Sequence, residues 1–549
     1  MANDSLTTRI WISTKDTSLF PEQQEPHASR LAEKPNFGFC FSGGGTRALS
    51  AAMGQLRGLT AIDAVARARY ISSVSGGTWA CSLFTYYPSG PGLPQDDAEF
   101  LGPVTPPAEI TTKDLKQMPQ TRLGYVATLS LRNNLLKLAR HKDASDRLWL
   151  DAVGLTFFEN FQLYDPNNPA YFSLDDATVQ EIREANPQLQ GATFHTVRTQ
   201  SYRPFLVMNS CLVGPNDVAP FSMEELVHFE YTPLAVGSAH PMEVTFTSRK
   251  DKKKPGETRL VGGGFIQPFA FGGNPSPQAP AGCEPAQPPN ACALTDLPPT
   301  PRPYSLADAA GTSSSAAAGD LDEYGITDQL GAQAQYWPVT NQASPPVEEF
   351  DFGDGGSLEN YGLLSLLQRK VERLVVFINT PRKLDLSYDP TQPPSSKQID
   401  GDLPPLFGYP MGVQTHNQVF PQADWPGLVT ALQNAKRAGK TLLAETEHEV
   451  QANDWWGIAG GWKARVLWFY LDRVMDWEAQ LPSWIARQIR WGNKGLGFLS
   501  PYRDFPNYQT IDENLLDLVE LSARQVNLLA DLTCWTITEN QDTIRKFLR

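Results

Sequence analysis

The chain has 549 residues, with 46 Lys or Arg against 60 Asp or Glu, a formal net charge of −14. Charged residues make up 19% and hydrophobic residues 41%, a globular composition that excludes a disordered, collagen-like or coiled-coil chain. The acidic balance argues against nucleic-acid binding and against electrostatic adsorption to anionic lipid, so any membrane contact has to be apolar or aromatic.

At about 150 residues per domain, the length suggests three or four domains. No apolar run reaches the roughly 18 residues of a transmembrane helix. The start, MANDSLTTRIWISTKD, has no signal-peptide pattern, and neither end carries a lipidation box. Six cysteines are too few for a disulfide scaffold. Cys283 and Cys292 flank a Pro-rich stretch and can pair, although two reduced loop thiols are the simpler expectation. A cytoplasmic enzyme is expected, at most peripheral to membranes.

Residues 1–35 read as a polar leader. NFGFCF (36–41) predicts a buried strand, SGGG a tight turn, and TRALSAAMGQLRGLTAI (46–62) a helix. RYISSV (69–74) predicts a second strand, followed by a second turn and helix in SGGTWACSLFTYY. Strand, helix, strand, helix is the pattern of a parallel sheet with crossover helices. Helices dominate 114–165, with LSLRNNLLKLARH the clearest. RPFLVMNSCLV (203–213) and MEVTFTS (242–248) predict strands. Residues 274–303 hold ten prolines and predict an insertion that cannot continue a sheet. EEFDFGDGG (348–356) predicts a strand and Gly-rich turn, LENYGLLSLLQRK a helix, and VERLVVFINT (371–380) a strand. Residues 381–410 are loop-like. The remainder predicts helices in KARVLWFYLDRVMDWEAQL and ENLLDLVELSARQVNLLADLTCW. Seven of the 13 Trp fall between Trp455 and Trp491. They suit a lipid interface, but core packing in a helical subdomain is favoured.

Three Gly-rich strand ends carry the chemistry. Ser42-Gly43-Gly44-Gly45-Thr46-Arg47 lies between a strand and a helix. Its N–H groups and the helix N-terminus can hold an anion, either a phosphate or the oxyanion of acyl transfer. A nucleotide site lacks its usual GxxxxGK[ST] or GxGxxG. Ser73-Val74-Ser75-Gly76-Gly77 is a variant of the G-x-S-x-G nucleophile elbow, with Ser in place of the first Gly. One crossover separates it from the first turn, so both turns can emerge at the same sheet edge. Asp354-Gly355-Gly356 places a carboxylate at a third strand end. Each turn alone is an ordinary structural turn, whereas all three together assemble an acyl-transfer site.

These three segments resemble the motifs of patatin-like acyl hydrolases. More closely, they resemble the catalytic domain of cytosolic phospholipase A2 and the fungal lysophospholipases. Trp79 after Ser75-Gly76-Gly77-Thr78, Phe229-Glu230-Tyr231-Thr232-Pro233 with Gly237, and Ala310-Gly311-Thr312-Ser313-Ser314-Ser315-Ala316 strengthen the likeness. Ser73 and Gly77 depart from it mildly. The resemblance implies a Ser75 nucleophile and an Asp354 general base in a dyad without His. It also implies oxyanion-hole N–H groups from Gly44 and Gly45, and Arg47 for substrate phosphate or the oxyanion. No calcium-binding membrane domain is expected ahead of the first motif, and neither metal nor cofactor is implied. The substrate would be a phospholipid, a lysophospholipid or another fatty-acyl ester, with transient contact to a membrane surface.

The expected fold is a three-layer α/β domain with a largely parallel central sheet over 36–380, a Pro-rich insertion near 274–303, and a C-terminal continuation over 381–549. Two other functions stand beside the dyad enzyme. One is a Ser-His-Asp esterase using Ser75, Asp354 and His416 or His448. The other is a catalytically silent lipid-binding scaffold. A metal hydrolase is disfavoured, because the seven His show no HExxH or close cluster.

Overall fold

The computed structural model describes residues 5–14, 20–24, 29–140, 147–218, 224–248, 256–281, 292–300, 302–315, 332–412, 414–494, 500–510 and 519–549. Thirteen strands among them form one sheet. In chain order they begin with β1 (Leu6–Ile12), β2 (Phe37–Phe41), β3 (Tyr70–Val74), β4 (Phe205–Pro215), β5 (Val227–Tyr231) and β6 (Val236–Ser238). Then come β7 (Gly264–Ile266), β8 (Cys292–Leu297), β9 (Ala332–Tyr336) and β10 (Glu348–Asp354). The last are β11 (Arg373–Ile378), β12 (Leu443–Val450) and β13 (Trp462–Tyr470). The spatial order is β8-β1-β7-β6-β5-β4-β3-β2-β11-β13-β12, with β10 against β4 and β9 against β10.

The centre is parallel: β4, β3, β2, β11 and β13 pair in one direction. The other pairings in this sheet are antiparallel. Parallel strands are covered on both faces and therefore read as unbroken apolar runs. FGFCF and YISSV are buried at every position. The fold is a three-layer α/β architecture with a parallel centre, as the sequence pattern predicts.

Helices α1 (Gly45–Ala61), α2 (Ser75–Tyr86), α3 (Leu306–Thr312), α4 (Gly355–Leu358), α5 (Leu363–Gln368) and α6 (Ala523–Glu539) surround the site. Neighbouring residues of a strand point to opposite faces. On β3, the Ser72 hydroxyl bonds to Ser365 of α5 at 3.1 Å, while Ser73 bonds to Thr78 of α2 at 3.1 Å. So α5 and α2 cover opposite faces. On α1, the Ala51 carbonyl accepts from Thr533 Oγ1 of α6 at 2.9 Å, which ties the C-terminal helix to the first crossover helix.

Several expectations change. Residues 6–12 are a sheet strand rather than part of a polar leader, and Leu6, Ile10 and Trp11 are buried. Leu6, Thr8 and Ile10 are buried while Thr7 and Arg9 between them are half-buried, a strand pattern of period two. Within the Pro-rich stretch, Cys292–Leu297 does continue the sheet, pairing antiparallel with β1. It contains no proline and lies at the sheet edge, where flanking prolines are tolerated. The helix predicted from Lys463 begins instead as strand β13, in which Trp462, Ala464, Val466, Trp468 and Tyr470 recur at every second residue, the period of a strand. The helix predicted over 358–370 is split, with Gly362 at φ 70° capping α5. Of the seven clustered Trp, Trp456, Trp468 and Trp477 are buried and Trp491 is 46% exposed, so the cluster is largely core. Cys283 and the Cys292 side chain lie outside the described residues, while Cys40, Cys81, Cys211 and Cys534 are buried free thiols. No helix among the described residues is long and apolar enough to cross a membrane.

The N-terminal segment is also held by charge. Arg369, at the end of α5, bonds through Nε to Glu22 at 2.8 Å and through Nη1 to Glu230 of β5 at 2.9 Å, all three side chains being buried. Removing one member of such a cluster strands the others without compensation. Arg369→Met should cost about 3–5 kcal/mol of stability. Urea unfolding checks this, as a drop in midpoint at unchanged slope.

Candidate active site

The site forms where two strands meet end to end. β5 occupies one edge of β4 over residues 208–212. Both β3 (against 205–209) and β10 (against 210–215) must therefore lie on the other edge. They run toward each other. Val74 pairs with Asn209 and Asp354 with Ser210, so Ser75 and Asp354 arrive together at adjacent β4 residues. The Ser75 and Asp354 side chains line one cavity, and the Ser75 hydroxyl favours the ionised form of the Asp354 carboxyl.

Ser75 has φ 51°, a left-handed conformation that a non-glycine residue adopts at a cost of about 1–3 kcal/mol. The surroundings hold it there. Its N–H donates to the Ser313 carbonyl at 3.1 Å and to the Ser313 hydroxyl at 3.3 Å. Ser313 Oγ in turn donates to the Asn209 carbonyl at 2.6 Å, and the Ser313 carbonyl also receives the Gly355 N–H at 3.3 Å. One residue beyond α3 thus joins the Ser75 turn to the Asp354 turn. Trp79 reaches the same segment, with Nε1 3.0 Å from Ser314 Oγ. Gly76 lets the elbow press against the first Gly-rich turn, since a Cβ there would stand 2.1 Å from the Gly45 carbonyl oxygen.

In that first turn, Gly43 is already engaged. Its N–H donates to the Asn360 carbonyl at 3.0 Å and to Asn360 Oδ1 at 3.1 Å. Gly44 and Gly45 are the cap and first residue of α1, which has no side-chain cap, so their N–H groups have no acceptor within the helix. Gly44 lines the cavity beside Ser75, and Gly45 lies just behind its wall, against Gly76 and Thr510. The Thr510 hydroxyl donates to the Gly44 carbonyl at 2.9 Å and fixes the turn.

Arg47 is buried. Its Nε donates to the Asn379 carbonyl at 2.8 Å and its Nη1 to the Tyr508 carbonyl at 2.7 Å. Among the described residues it forms no ion pair. Nη2 is left beside Gly44, 2.3 Å from where a Gly44 Cβ would be. Burial lowers its pKa to about 10, with Asp400 opposing that shift.

These groups enclose a cavity of about 330 Å³, a volume within the range of small-molecule sites. Ser42, Gly44, Arg47, Ser75, Asp354, Asn360, Asp400 and Asp402 are among its lining residues. Burial raises the Asp354 carboxyl to about 6, and the hydrogen bond from the Gly356 N–H (2.7 Å) and the Ser75 hydroxyl oppose the rise. Glu359, also buried, is pushed up to about 7 although the Tyr361, Leu363 and Leu364 N–H groups bond to it. Burial and the neighbouring Asp400 raise the Asp402 carboxyl above the usual carboxylate range.

No histidine among the described residues lines the cavity. His448 Nδ1 pairs with Asp424 at 2.8 Å, and His416 stacks on Trp455 with ring centroids 4.1 Å apart. Neither His416 nor His448 is therefore placed in the cavity with Ser75 and Asp354. Nor is any group of three or more His, Cys, Asp or Glu among the described residues arranged to hold a metal ion. Asn360, Ser313, Asp400, Asp402 and Thr510 were not singled out by sequence for roles at this site. Ser313 belonged to a recognised block without an assigned role. Asn360 sat inside a predicted helix, and both aspartates sat in a stretch read as loop.

Neither family models nor curated protein sequences give a match. Among solved structures, human GIVD cytosolic phospholipase A2 matches with a TM-score of 0.45 and 14% identity, over 96% of this chain and 62% of that one. A complex of that human protein with methyl gamma-linolenyl fluorophosphonate matches with a TM-score of 0.41 and 13% identity, over 94% and 59%. The chain spans 59–62% of the length of these structures.

The carboxyl of Asp354 should titrate near pH 6, visible by infrared difference spectroscopy between wild type and Asp354→Asn. Ser75→Ala removes a donor that favours the ionised form, so the midpoint should rise further.

Proposed function

We propose that the chain is a lipid acyl hydrolase of phospholipase A2 or lysophospholipase type, working through a Ser75–Asp354 dyad. The observation that carries this is a strained Ser75 placed with a desolvated carboxylate at the meeting point of two strand ends, beside two helix-terminal N–H groups that face no intrahelical acceptor. The resemblance of the three turns to patatin-like and cytosolic phospholipase motifs agrees with it.

Ser75 Oγ attacks the ester carbonyl as its proton passes to Asp354. The carbonyl oxygen becomes an oxyanion against the N–H groups of Gly44 and Gly45, where each donor is worth about 2.7–4 kcal/mol in such sites. Collapse expels the alkoxide, which takes the proton back from Asp354, and leaves an acyl-serine. Water, deprotonated by the same carboxylate, then attacks the acyl carbon and releases the fatty acid. An ordinary Asp is a weak base, and the rise to about 6 brings its basicity closer to the working pH. The Arg47 guanidinium stands beside the oxyanion turn and suits a substrate phosphate. The substrate would be a fatty-acyl ester drawn from a membrane surface through transient contact.

A fluorophosphonate should label Ser75 covalently, with peptide mass mapping to locate it. Ser75→Ala and Asp354→Asn should each lower ester hydrolysis by about 10⁴-fold or more while the fold persists. Full turnover in either variant would refute the dyad, and absence of labelling in wild type, with and without mixed liposomes, would indicate a silent scaffold. Because the base must be ionised, kcat/KM should fall as pH drops through about 6 and level off above it. Arg47→Ala should lower hydrolysis of phosphate-bearing lipids about ten- to hundred-fold more than that of neutral esters, matching one lost charge-assisted hydrogen bond. Equal losses would make Arg47 purely structural.

A further inference from the structure

Asp402 lies far along the chain from the three Gly-rich turns, yet it lines the same cavity. Its carboxylate accepts two hydrogen bonds. One comes from Asn360 Nδ2 at 2.7 Å, the other from Gln414 Nε2 at 2.8 Å. Each donor reaches a different half of the site. Asn360 holds the oxyanion turn, because its Oδ1 and its carbonyl both accept the Gly43 N–H. Gln414 holds the base turn, because its Nε2 also donates to the Gly356 carbonyl at 3.2 Å. The Gly356 N–H is the donor that fixes Asp354 Oδ1 at 2.7 Å.

Two chains of contact therefore diverge from one side chain. The first runs Asp402, Asn360, Gly43 and on to Gly44. The second runs Asp402, Gln414, Gly356 and on to Asp354. Neither is a backbone ladder, so β-sheet register does not set their lengths. Asp402 is itself anchored, with its N–H donating to Asp400 Oδ1 at 3.2 Å. Asp400 in turn accepts from the Tyr361 hydroxyl, and its N–H donates to Tyr470 Oη at 3.0 Å. The anchor thus runs back to β13 at the parallel centre of the sheet.

We propose that Asp402 is a positioning residue, which sets the spacing between the oxyanion turn and the Ser75–Asp354 pair by clamping Asn360 and Gln414 together. It touches no reacting atom. It rests on the acyl-hydrolase function proposed above, and acts on the chemical step rather than on substrate binding.

Asp402→Asn keeps one acceptor oxygen but turns an amide N–H₂ toward one of the two donors, so one arm of the clamp opens. Gln414→Ala removes the base-side arm alone and covers the case in which the first variant fails to fold. On a soluble short-chain ester, each variant should lose about 10- to 100-fold in kcat, the scale expected for misplaced reacting groups, with KM changed less than about threefold. The double variant should be no worse than Asp402→Asn, since opening either arm already breaks the single Asn360–Asp402–Gln414 link. A second readout needs no turnover. Loosening Gly356 weakens its bond to Asp354, so Gln414→Ala should raise the infrared midpoint of the Asp354 carboxyl. The clamp is refuted by kcat within twofold of wild type in either variant, by losses that multiply, by a loss confined to KM, or by an unmoved Asp354 midpoint. Wild type that neither hydrolyses esters nor labels at Ser75 would instead refute the enzymatic function, while the Asp354 midpoint would still decide the clamp.

Discussion

Strands β3 and β10 share one edge of β4 and run toward each other, and the space between their ends is set by the pairing of Asn209 and Ser210. A strand edge has room for one partner at each residue. Where β3 stops, β10 can begin, and the chain must leave both ends sharply. Ser75 leaves in a left-handed turn and Asp354 by starting a short helix. Backbone hydrogen bonding thus brings a hydroxyl and a carboxylate together before any side-chain attraction is considered. The loop after α3 stitches the two exits through Ser313. The parallel centre then adds β2 next to β3, so the turn after β2 arrives at the same end of the sheet.

The price of this arrangement is buried polarity. Asp354, Glu359, Asp402 and Arg47 are all largely withdrawn from water, and each is compensated differently. Glu359 is met by backbone N–H groups at the start of α5. Arg47 is met by main-chain carbonyls instead of a carboxylate, which keeps a positive charge in the wall without neutralising it. Asp354 is under-compensated, and that deficit is what raises its basicity. Strain at Ser75 and desolvation at Asp354 are two forms of stored free energy, held by the rigid sheet underneath.

Much of this was legible in the sequence because it is local. The short runs FGFCF (37–41) and YISSV (70–74) read as buried strands, and the glycines after them as tight turns. Ser75, Asp354, Gly44 and Arg47 were readable for that reason, each tied to a strand end by a few residues. What was not legible depends on partners far along the chain. Residues 6–12 look polar until β8 and β7 are placed on either side of them. Trp462–Tyr470 starts with a period-two pattern, but its continuous apolar run from Val466 also suits a buried helix, and its place beside β11 decides for a strand. Asp402 and Asn360 carry no local signature, since a carboxylate clamp is defined by what it touches. The prolines of 274–303 misled because they flank the edge strand without entering it.

Pairing between β2 and β11 sets Phe37 beside Arg373, and pairing between β1 and β8 sets Leu6 beside Leu297. On a ribosome, β1 would wait for nearly three hundred residues before its outer neighbour exists, and β2 longer still. Loop closure over such separations is entropically costly and kinetically slow. During that interval β2 presents an apolar strand with one parallel edge unfilled, the kind of surface that recruits chaperones or other nascent chains. A fold whose centre is completed from so distant a segment therefore keeps Ser75 and Asp354 apart until β10 has been made.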